Sequence, residues 1–567
     1  MDKIWLKSYP PGVPAEIDIG EFHSLNEIAE QSFHRFADDE AYVQMGRAMS
    51  YTELDRLSRN FAAWLQKAAA MKKGDRLAIM LPNILQYPVV MLAALRAGLT
   101  VVNTNPLYTP PELEHQLQDS GATAIVILEN FAHVLQKVVA HTKIRVVLVT
   151  AVGDLLGFPK SWLVNYVVRH VRKQVPPWRI EGTRTFCSAL AAGRSVSLDE
   201  VDVRSDDLAF LQYTGGTTGV SKAAMLTHGN VVVNVLQCKA WMNPSFADEP
   251  ETLITALPLY HIFALTTNCL LFLCLGWRNI LIANPRDMPT LIAEMKRYPF
   301  TFFSAVNTLF NALLNAPAFA GLDFSELKMA LGGGMAVQAP VAERWKSMTG
   351  KVITQGWGLT ETSPVGTINR LDEEFNGSVG LPIPSTEIAI KDESGNDLGI
   401  NQVGEICLRG PQVMRGYWNR PDETAKVMFP DGWLRTGDVG RMDERGYVFI
   451  EDRKKDMILV SGFNVYPNEV EAVVAAHPDV LEAAAIAMPD EHSGEVVALF
   501  VVRKDPALTD AALIEHCRQS LTGYKVPKHV YFRTELPKSN VGKILRRALR
   551  DELLPPAPSH NSSDKVA

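Results

Sequence analysis

The 567-residue chain carries 56 basic and 63 acidic side chains, a net charge of -7, and is 47% hydrophobic and 21% charged. That composition belongs to a globular protein, and the net negative charge gives no global electrostatic case for nucleic acid. Six cysteines without a C-x-x-C pair and thirteen histidines without H-E-x-x-H make metal cages and disulfide frameworks weak readings, and a reducing cytoplasm fits.

A single hydrophobic core stops growing near about 250–300 residues, so two or more domains are expected. The N-terminus has Asp2, Lys3 and Lys7 among polar and Pro-rich residues and lacks the apolar segment of a signal peptide. Between about residues 50 and 150 strand and helix patterns alternate. Arg76–Leu81 reads as a strand, Leu85–Ala97 as a helix stopping at Gly98, and Pro111–Gln118 as a helix with Gly121 just beyond its end. Strands follow at Ala124–Leu128 and Ile144–Val149. The alternation recurs over 251–335 and predicts an α/β fold with largely parallel sheets, and no 20–50-residue period points to a solenoid. Lys160–Lys173 mixes Trp162, Tyr166 and valines with a basic end. It reads either as a helix lying in a membrane interface or as an amphipathic helix packed on its own domain.

The apolar run Leu208–Leu211 predicts a buried strand feeding Tyr213-Thr214-Gly215-Gly216-Thr217-Thr218-Gly219-Val220-Ser221-Lys222. Glycines, hydroxyls and a terminal lysine in one short run describe a loop that wraps polyphosphate with backbone N–H groups. The spacing is neither a P-loop, since Val220 stands five residues after Gly215, nor G-x-G-x-x-G. Leu257–Phe263 places His261 among apolar residues, where a satisfied core histidine is the commoner role. Asn268–Gly276 falls short of the roughly 20 residues of a spanning helix and reads as buried core. Gly332-Gly333-Gly334 follows the strand-like Lys328–Leu331, and Gln355–Pro364 sets Trp357, Thr360 and Glu361 among Gly356 and Gly358. Asp452-Arg453-Lys454-Lys455-Asp456 interrupts a β-rich region and opens a last segment of different pattern. Ser461–Glu469 reads as a turn leading into a helix capped at Asn468, and Lys543 stands before a basic helix, Ile544–Arg550.

The 213–222 run resembles the phosphate loop of the adenylate-forming superfamily, which includes acyl-CoA synthetases, luciferases and peptide-synthetase adenylation domains, and the other motifs follow in that family's order over nearly the whole chain. Asp431–Gly440 through Glu451–Gly462, and residues 5–14, are similar to bacterial-type long-chain fatty acyl-CoA synthetases. The resemblance implies a large N-terminal adenylate-forming domain (1–451) of several subdomains with mixed sheets and a distorted β-barrel. A hinge (452–456) joins it to a small mobile C-terminal α+β domain (457–554), and the Pro/Ser/Asp-rich tail 555–567 is expected to be disordered.

It further implies an ATP- and Mg²⁺-dependent enzyme of fatty-acid metabolism and β-oxidation, with coenzyme A as co-substrate. On that resemblance Trp357 lies against adenine beside Gly332–Gly334 and Gln355–Gly358, Thr360 touches the α-phosphate, and Glu361 with Thr217 holds Mg²⁺. Asp438 and Arg453 take the ribose, Lys455 marks the pivot, and Gly462 admits pantetheine. Lys543 is the catalytic lysine, and His261 is an aromatic-type gate beside the acyl carboxylate. Gln355 and Trp357 stand where the family often has Glu and Tyr, which leaves the acyl pocket undefined. Peripheral contact at the inner face of the cell membrane and a homodimer are compatible with this reading, whereas nucleic acid is not a partner. A medium-chain or aryl-CoA ligase, and a non-catalytic lipid- or nucleotide-binding protein on the same fold, are the competing readings.

Overall fold

The computed structural model describes residues 3–214, 221–246, 250–539 and 542–553. These residues divide into two compact units. The first holds the described residues up to Thr436 with Gly440–Ile450, the second Gly437–Val439 and the described residues from Glu451 onward.

The first unit is built on two large mixed sheets. One runs in the order Leu381–Pro382, Val365–Ile368, Ile353–Gly358, Met329–Gly332, Phe302–Ala305, Thr252–Thr255, Arg278–Leu281, Glu40–Gln44, Arg47–Ser50. Its five central strands, from Ile353–Gly358 to Arg278–Leu281, are parallel. The other runs Arg184–Thr185, Val146–Thr150, Ala124–Leu128, Arg76–Met80, Thr100–Asn103, Leu208–Thr214, Lys222–Thr227, parallel until its last, antiparallel pair. Parallel strands need helical crossovers, and these cover the sheet faces.

The helix Gln86–Arg96 is buried at every position, because it lies within the core shared by both sheets. It ends at Ala97 with Gly98 at φ +69°. The helix Pro110–Ser120 starts at a Thr109/Glu112 capping box and stops at left-handed Gly121. The apolar run before Gly276 is a buried helical stretch, Leu265–Leu275, within the core. Among the described residues no helix is long and apolar enough to cross a membrane.

A third sheet, Glu387–Lys391, Gly404–Arg409, Leu434–Met442, Val448–Arg453, corrects one expectation. It stays open and is not a barrel. Closure requires the two outer strands to pair, but the edge residue Val448 instead forms an isolated antiparallel bridge with Gly380.

The second unit has its own sheet, Phe463–Val465, Ile458–Val460, Gly494–Arg503, Val480–Asp490, with His529–Arg533 parallel to Gly494–Arg503. Helices Pro467–Ala475, Asp510–Arg518 and Arg546–Leu553 accompany it. Asn468 is not the cap of the first of these helices. Tyr466 is, and Asn468 lies inside the first turn with its side chain engaged elsewhere.

Candidate active site

In the first unit the predicted site residues gather at the carboxyl ends of parallel strands, where α/β sheets present ligand crevices. Leu208–Thr214 is the strand that feeds the loop, and Thr214 pairs with Lys222 across its mouth. Gly215, Gly216, Thr217, Thr218 and Gly219 lie outside the described residues. Both flanks of the loop are tied down. The Tyr213 hydroxyl donates to Asp119 Oδ2 at 2.7 Å, and burial followed by that carboxylate holds the phenol well above its ordinary range. Asp119 Oδ1 accepts from Arg420 at 2.7 Å, and the Ser221 carbonyl meets His115 Nε2 at 2.9 Å.

Lys222 has its Nζ 3.9 Å from the centre of the Tyr417 ring and 3.1 Å from Glu423 Oε2. The Tyr417 hydroxyl donates to Glu361 Oε1 at 2.6 Å. One aromatic ring therefore joins the phosphate-loop cation to the acid expected to hold a metal. Burial, and then the Glu361 carboxylate, push the Tyr417 phenol well above its usual range, so it stays a neutral donor.

The backbone explains how Tyr417 arrives there. Residues 415–418 line the edge of the strand Lys222–Thr227, with Met225 N–H donating to Gly416 at 2.9 Å and Trp418 N–H to Ala223 at 2.9 Å. Met414 N–H donates to the Glu361 carbonyl at 2.8 Å, so one segment grips both the strand and the turn Thr360–Thr362. Tyr417, Glu423, Asp119 and Arg420 were missed by sequence reasoning. The aromatic pair Tyr417-Trp418 directly after Gly416 was the available signal.

Thr360 and Glu361 sit in a short turn held from behind by buried hydroxyls. Ser363 Oγ donates to the Gln412 carbonyl at 2.8 Å, and Thr266 Oγ1 to the Ser363 carbonyl at 2.7 Å. Gly358 is demanded by packing, because a Cβ there would run into the Pro364 carbonyl oxygen. Gln355 is buried and committed to backbone. Its Oε1 accepts from Val337 N–H at 2.9 Å and its Nε2 donates to the Ser378 carbonyl at 2.7 Å. It thus props the loop that follows Gly332–Gly334. Gly356 pairs with Ile368, and the Trp357 indole is buried against Gly366. Phe263 lies over Gly333, where an added Cβ would stand 2.9 Å from its ring.

His261 caps the short helix Ile262–Ala264, its Nδ1 accepting from Phe263 N–H at 3.3 Å. The loop before it is braced by Asn83, which bonds Thr255, Leu257 and Leu259, and by Gln212, which donates to the Tyr260 carbonyl at 2.8 Å. An imidazole whose Nδ1 is engaged this way suits a wall of the site better than a general base.

In the second unit Asp438 is buried and accepts from Arg453 Nε at 2.6 Å, so the two expected ribose ligands are direct partners. Asp452 beside them is also buried. Its oxygens accept from the N–H groups of Arg453 (2.7 Å) and Asn468 (2.8 Å), and burial raises its carboxyl to about 6 against the pull of Arg546. Lys455 is exposed. Gly462 follows Ser461 in a two-residue hairpin turn, both at positive φ (86° and 50°), between Ile458–Val460 and Phe463–Val465. Lys543 closes a tight turn: its N–H donates to Ser539 Oγ at 3.1 Å and its carbonyl accepts from Ser539 N–H at 2.7 Å.

The first unit thus joins Lys222, at the end of the Gly-, Thr- and Ser-rich run, to Glu361 through one phenol, and the second unit holds a buried Asp438–Arg453 pair. The chain belongs to the AMP-binding enzyme family: residues 29–418 match the AMP-binding enzyme model and 469–543 its C-terminal domain. It is 56% identical to the long-chain-fatty-acid–CoA ligase of Yersinia pestis over 97% of this chain and 98% of the relative. Its identity to the Haemophilus influenzae enzyme of the same name is 51%, over 99% and 100%. A 4-coumarate-CoA ligase 2 from Narcissus pseudonarcissus is 33% identical over 89% and 87%. Among solved structures, ATP-bound MatB from Rhodopseudomonas palustris superposes with a TM-score of 0.79 at 28% identity, covering 93% of this chain and 99% of that one. The anthranilate CoA ligase AuaEII shares the fold with a TM-score of 0.84 at 23% identity, over 95% and 99%.

Proposed function

We propose that the protein is a long-chain-fatty-acid–CoA ligase. It converts ATP, a long-chain fatty acid and coenzyme A into acyl-CoA, AMP and pyrophosphate through a bound acyl-adenylate. The observation that carries the reading is the Lys222–Tyr417–Glu361 connection beside the phosphate loop. Likeness to ligases of this name over nearly all of both chains supports the choice of acid.

In the first half-reaction a carboxylate oxygen attacks the α-phosphorus and the bond to pyrophosphate breaks. Every reactant is anionic, so the protein's work is charge neutralisation and alignment. Residues 213–222 wrap the β- and γ-phosphates, Thr360 contacts the α-phosphate, and Trp357 flanks adenine against the backbone of Gly332–Gly334. Among the described residues no cluster of three or more His, Cys, Asp and Glu forms a cage. One carboxylate beside a phosphate loop instead suits Mg²⁺, which keeps waters and takes phosphate oxygens. Glu361 and Thr217 would hold it, and it supplies neutralisation of the phosphate charge. In the second half-reaction the small unit turns about Lys455, and the Ser461–Gly462 turn admits the pantetheine thiolate to the acyl carbon, with AMP leaving. The reading places the enzyme in the cytoplasm, in fatty-acid metabolism and β-oxidation, touching the membrane peripherally.

Coenzyme A-dependent AMP formation with oleate, octanoate, acetate and 4-coumarate in parallel tests the assignment. Oleate is expected to be strongly preferred with acyl-CoA as product. Preference for octanoate or 4-coumarate would keep the adenylation chemistry and remove the long-chain assignment.

Tyr417→Phe keeps the ring under Lys222 and deletes the bond to Glu361. A hydrogen bond to a charged group contributes about 1.5–3 kcal/mol, so acid-dependent pyrophosphate exchange should fall about tenfold or more. The half-saturating Mg²⁺ concentration should rise with it. An unchanged Mg²⁺ dependence would separate Tyr417 from the role given to Glu361.

A further inference from the structure

The helix His228–Met242 continues the chain directly from the strand that begins at Lys222, with Thr227 as its cap. Val231, Val232, Val235 and Leu236 make it a core helix, yet Asn234 and Gln237 are fully buried in it. With Asn230 these two form one stripe, since positions four and seven apart share a helix face. Burying a carboxamide costs free energy unless its donors and acceptors are paired, so the stripe is there for what it pairs with.

Two stretches are gripped, the exit of the turn Thr360–Thr362 and residues 411–413. Asn234 Oδ1 accepts from Val365 N–H at 3.0 Å and its Nδ2 donates to the Val365 carbonyl at 2.9 Å, the two-bond exchange a neighbouring strand would make. Val365 also pairs with Gly358, so this clamp closes the stretch of chain that contains the turn. Gln237 Nε2 donates to the Pro384 carbonyl at 2.7 Å and lies 3.3 Å from Gln412 Oε1, while the Gln412 carbonyl takes the Ser363 hydroxyl. Asn230 works in both directions. Its Oδ1 accepts from Thr227 N–H at 3.1 Å, where the strand from Lys222 ends, and its Nδ2 donates to the carbonyls of Pro411 and Val413 at 2.8 and 2.9 Å. Met414, next in the chain, holds the Glu361 carbonyl.

We propose that Asn230, Asn234 and Gln237 are positioning residues for acid activation, fixing Thr360 and Glu361 at a set separation from Lys222. They act through the turn and the 411–413 segment, not on substrate. A satisfied buried network specifies one arrangement of the chains it joins, where an apolar face would tolerate several. A displacement of about 1 Å at reacting groups can cost about 10²-fold in rate, so a fixed separation between the loop cation and the acid has direct kinetic value. The proposal rests on the adenylation reading but not on the choice of acid.

The test is acid-dependent pyrophosphate exchange as a function of Mg²⁺, read with whichever acid the wild type activates. Asn234→Leu keeps the branched shape and deletes the clamp. Its kcat should fall by about 10²-fold and its half-saturating Mg²⁺ concentration should rise, with KM for the acid within about threefold of wild type. Ser363→Ala removes only the hydroxyl that ties the turn to Gln412, and should move kcat and the Mg²⁺ dependence the same way by a smaller factor. It decides the question if Asn234→Leu does not fold. Val235→Ala opens a cavity in the same helix, and should lower the melting temperature while leaving the Mg²⁺ dependence unchanged. Wild-type Mg²⁺ dependence in Ser363→Ala and in folded Asn234→Leu overturns the proposal. So does a Val235→Ala variant that shifts it equally, which would reduce the stripe to core packing. Wild-type exchange with octanoate or 4-coumarate in place of oleate removes the long-chain reading and leaves this one standing. No exchange with any acid removes both.

Discussion

Lys543→Ala is expected to lower acid-dependent pyrophosphate exchange by about 10²–10³-fold, the loss found when one preorganised charge is taken from a developing oxyanion. Thioester formation from a supplied acyl-adenylate should stay within about threefold of wild type, because only interactions made in a given transition state appear in its rate. The local frame makes the substitution clean, and a charge-conserving variant serves as its control. The turn carrying Lys543 is closed through backbone and the Ser539 hydroxyl, so deleting the side chain leaves its frame intact. Lys543→Arg keeps the charge but replaces a compact ammonium with a planar fork, and should recover only part of the rate. Adenylation at the wild-type rate in Lys543→Ala would remove this lysine from the first half-reaction.

The sequence revealed those parts of the site that are contiguous in the chain. The strand into the phosphate loop, the turn at Thr360–Thr362 and the hairpin at Ser461-Gly462 each announce themselves through local glycine and hydroxyl patterns. Helix boundaries at Gly98 and Gly121 were equally plain, since a left-handed terminus needs glycine or close to it. The partners that come from far along the chain were not visible. Tyr417 reaches Glu361 across 56 positions and Lys222 meets Glu423 across 201, and neither separation leaves a periodic trace. Gln355 shows the limit of motif reading. Its place in a nucleotide-binding run says ligand, whereas its side chain is consumed by two backbone groups. The five-charge run at 452–456 by composition reads as a solvated turn, yet Asp452 is buried. What makes that burial tolerable is Arg546, almost a hundred positions away.

Arg546 is the residue whose loss should cost the second unit most. Its guanidinium lies among three carboxylates, forked onto Glu471 at 2.7 and 2.9 Å, 3.6 Å from Asp452 and 3.8 Å from Asp456. It also donates to Asn468 Oδ1 at 2.7 Å, so one side chain ties Asp452 and Asp456 to the helix Pro467–Ala475 and to the turn of Lys543. Arg546→Met removes the cation and strands buried acids, at a cost of about 3–5 kcal/mol. The effect carries a pH signature. The Asp452 carboxyl lies at about 6 in the folded unit, above an unfolded value of about 3.9. Between those values the folded state binds a proton that the unfolded state does not, so stability contributed by this group falls as pH rises toward 6 and is regained on acidification. Without Arg546 the folded value moves higher still. The gap between wild type and Arg546→Met should therefore be widest near pH 8 and narrow toward pH 5. All ten tryptophans lie at or before Trp433, so indole fluorescence is blind to this unit. Amide hydrogen exchange in Pro467–Ala475 and Arg546–Leu553 reads it directly. Equal protection in wild type and variant, or a gap that widens on acidification, would show that the carboxylates around Arg546 do not depend on it for their burial.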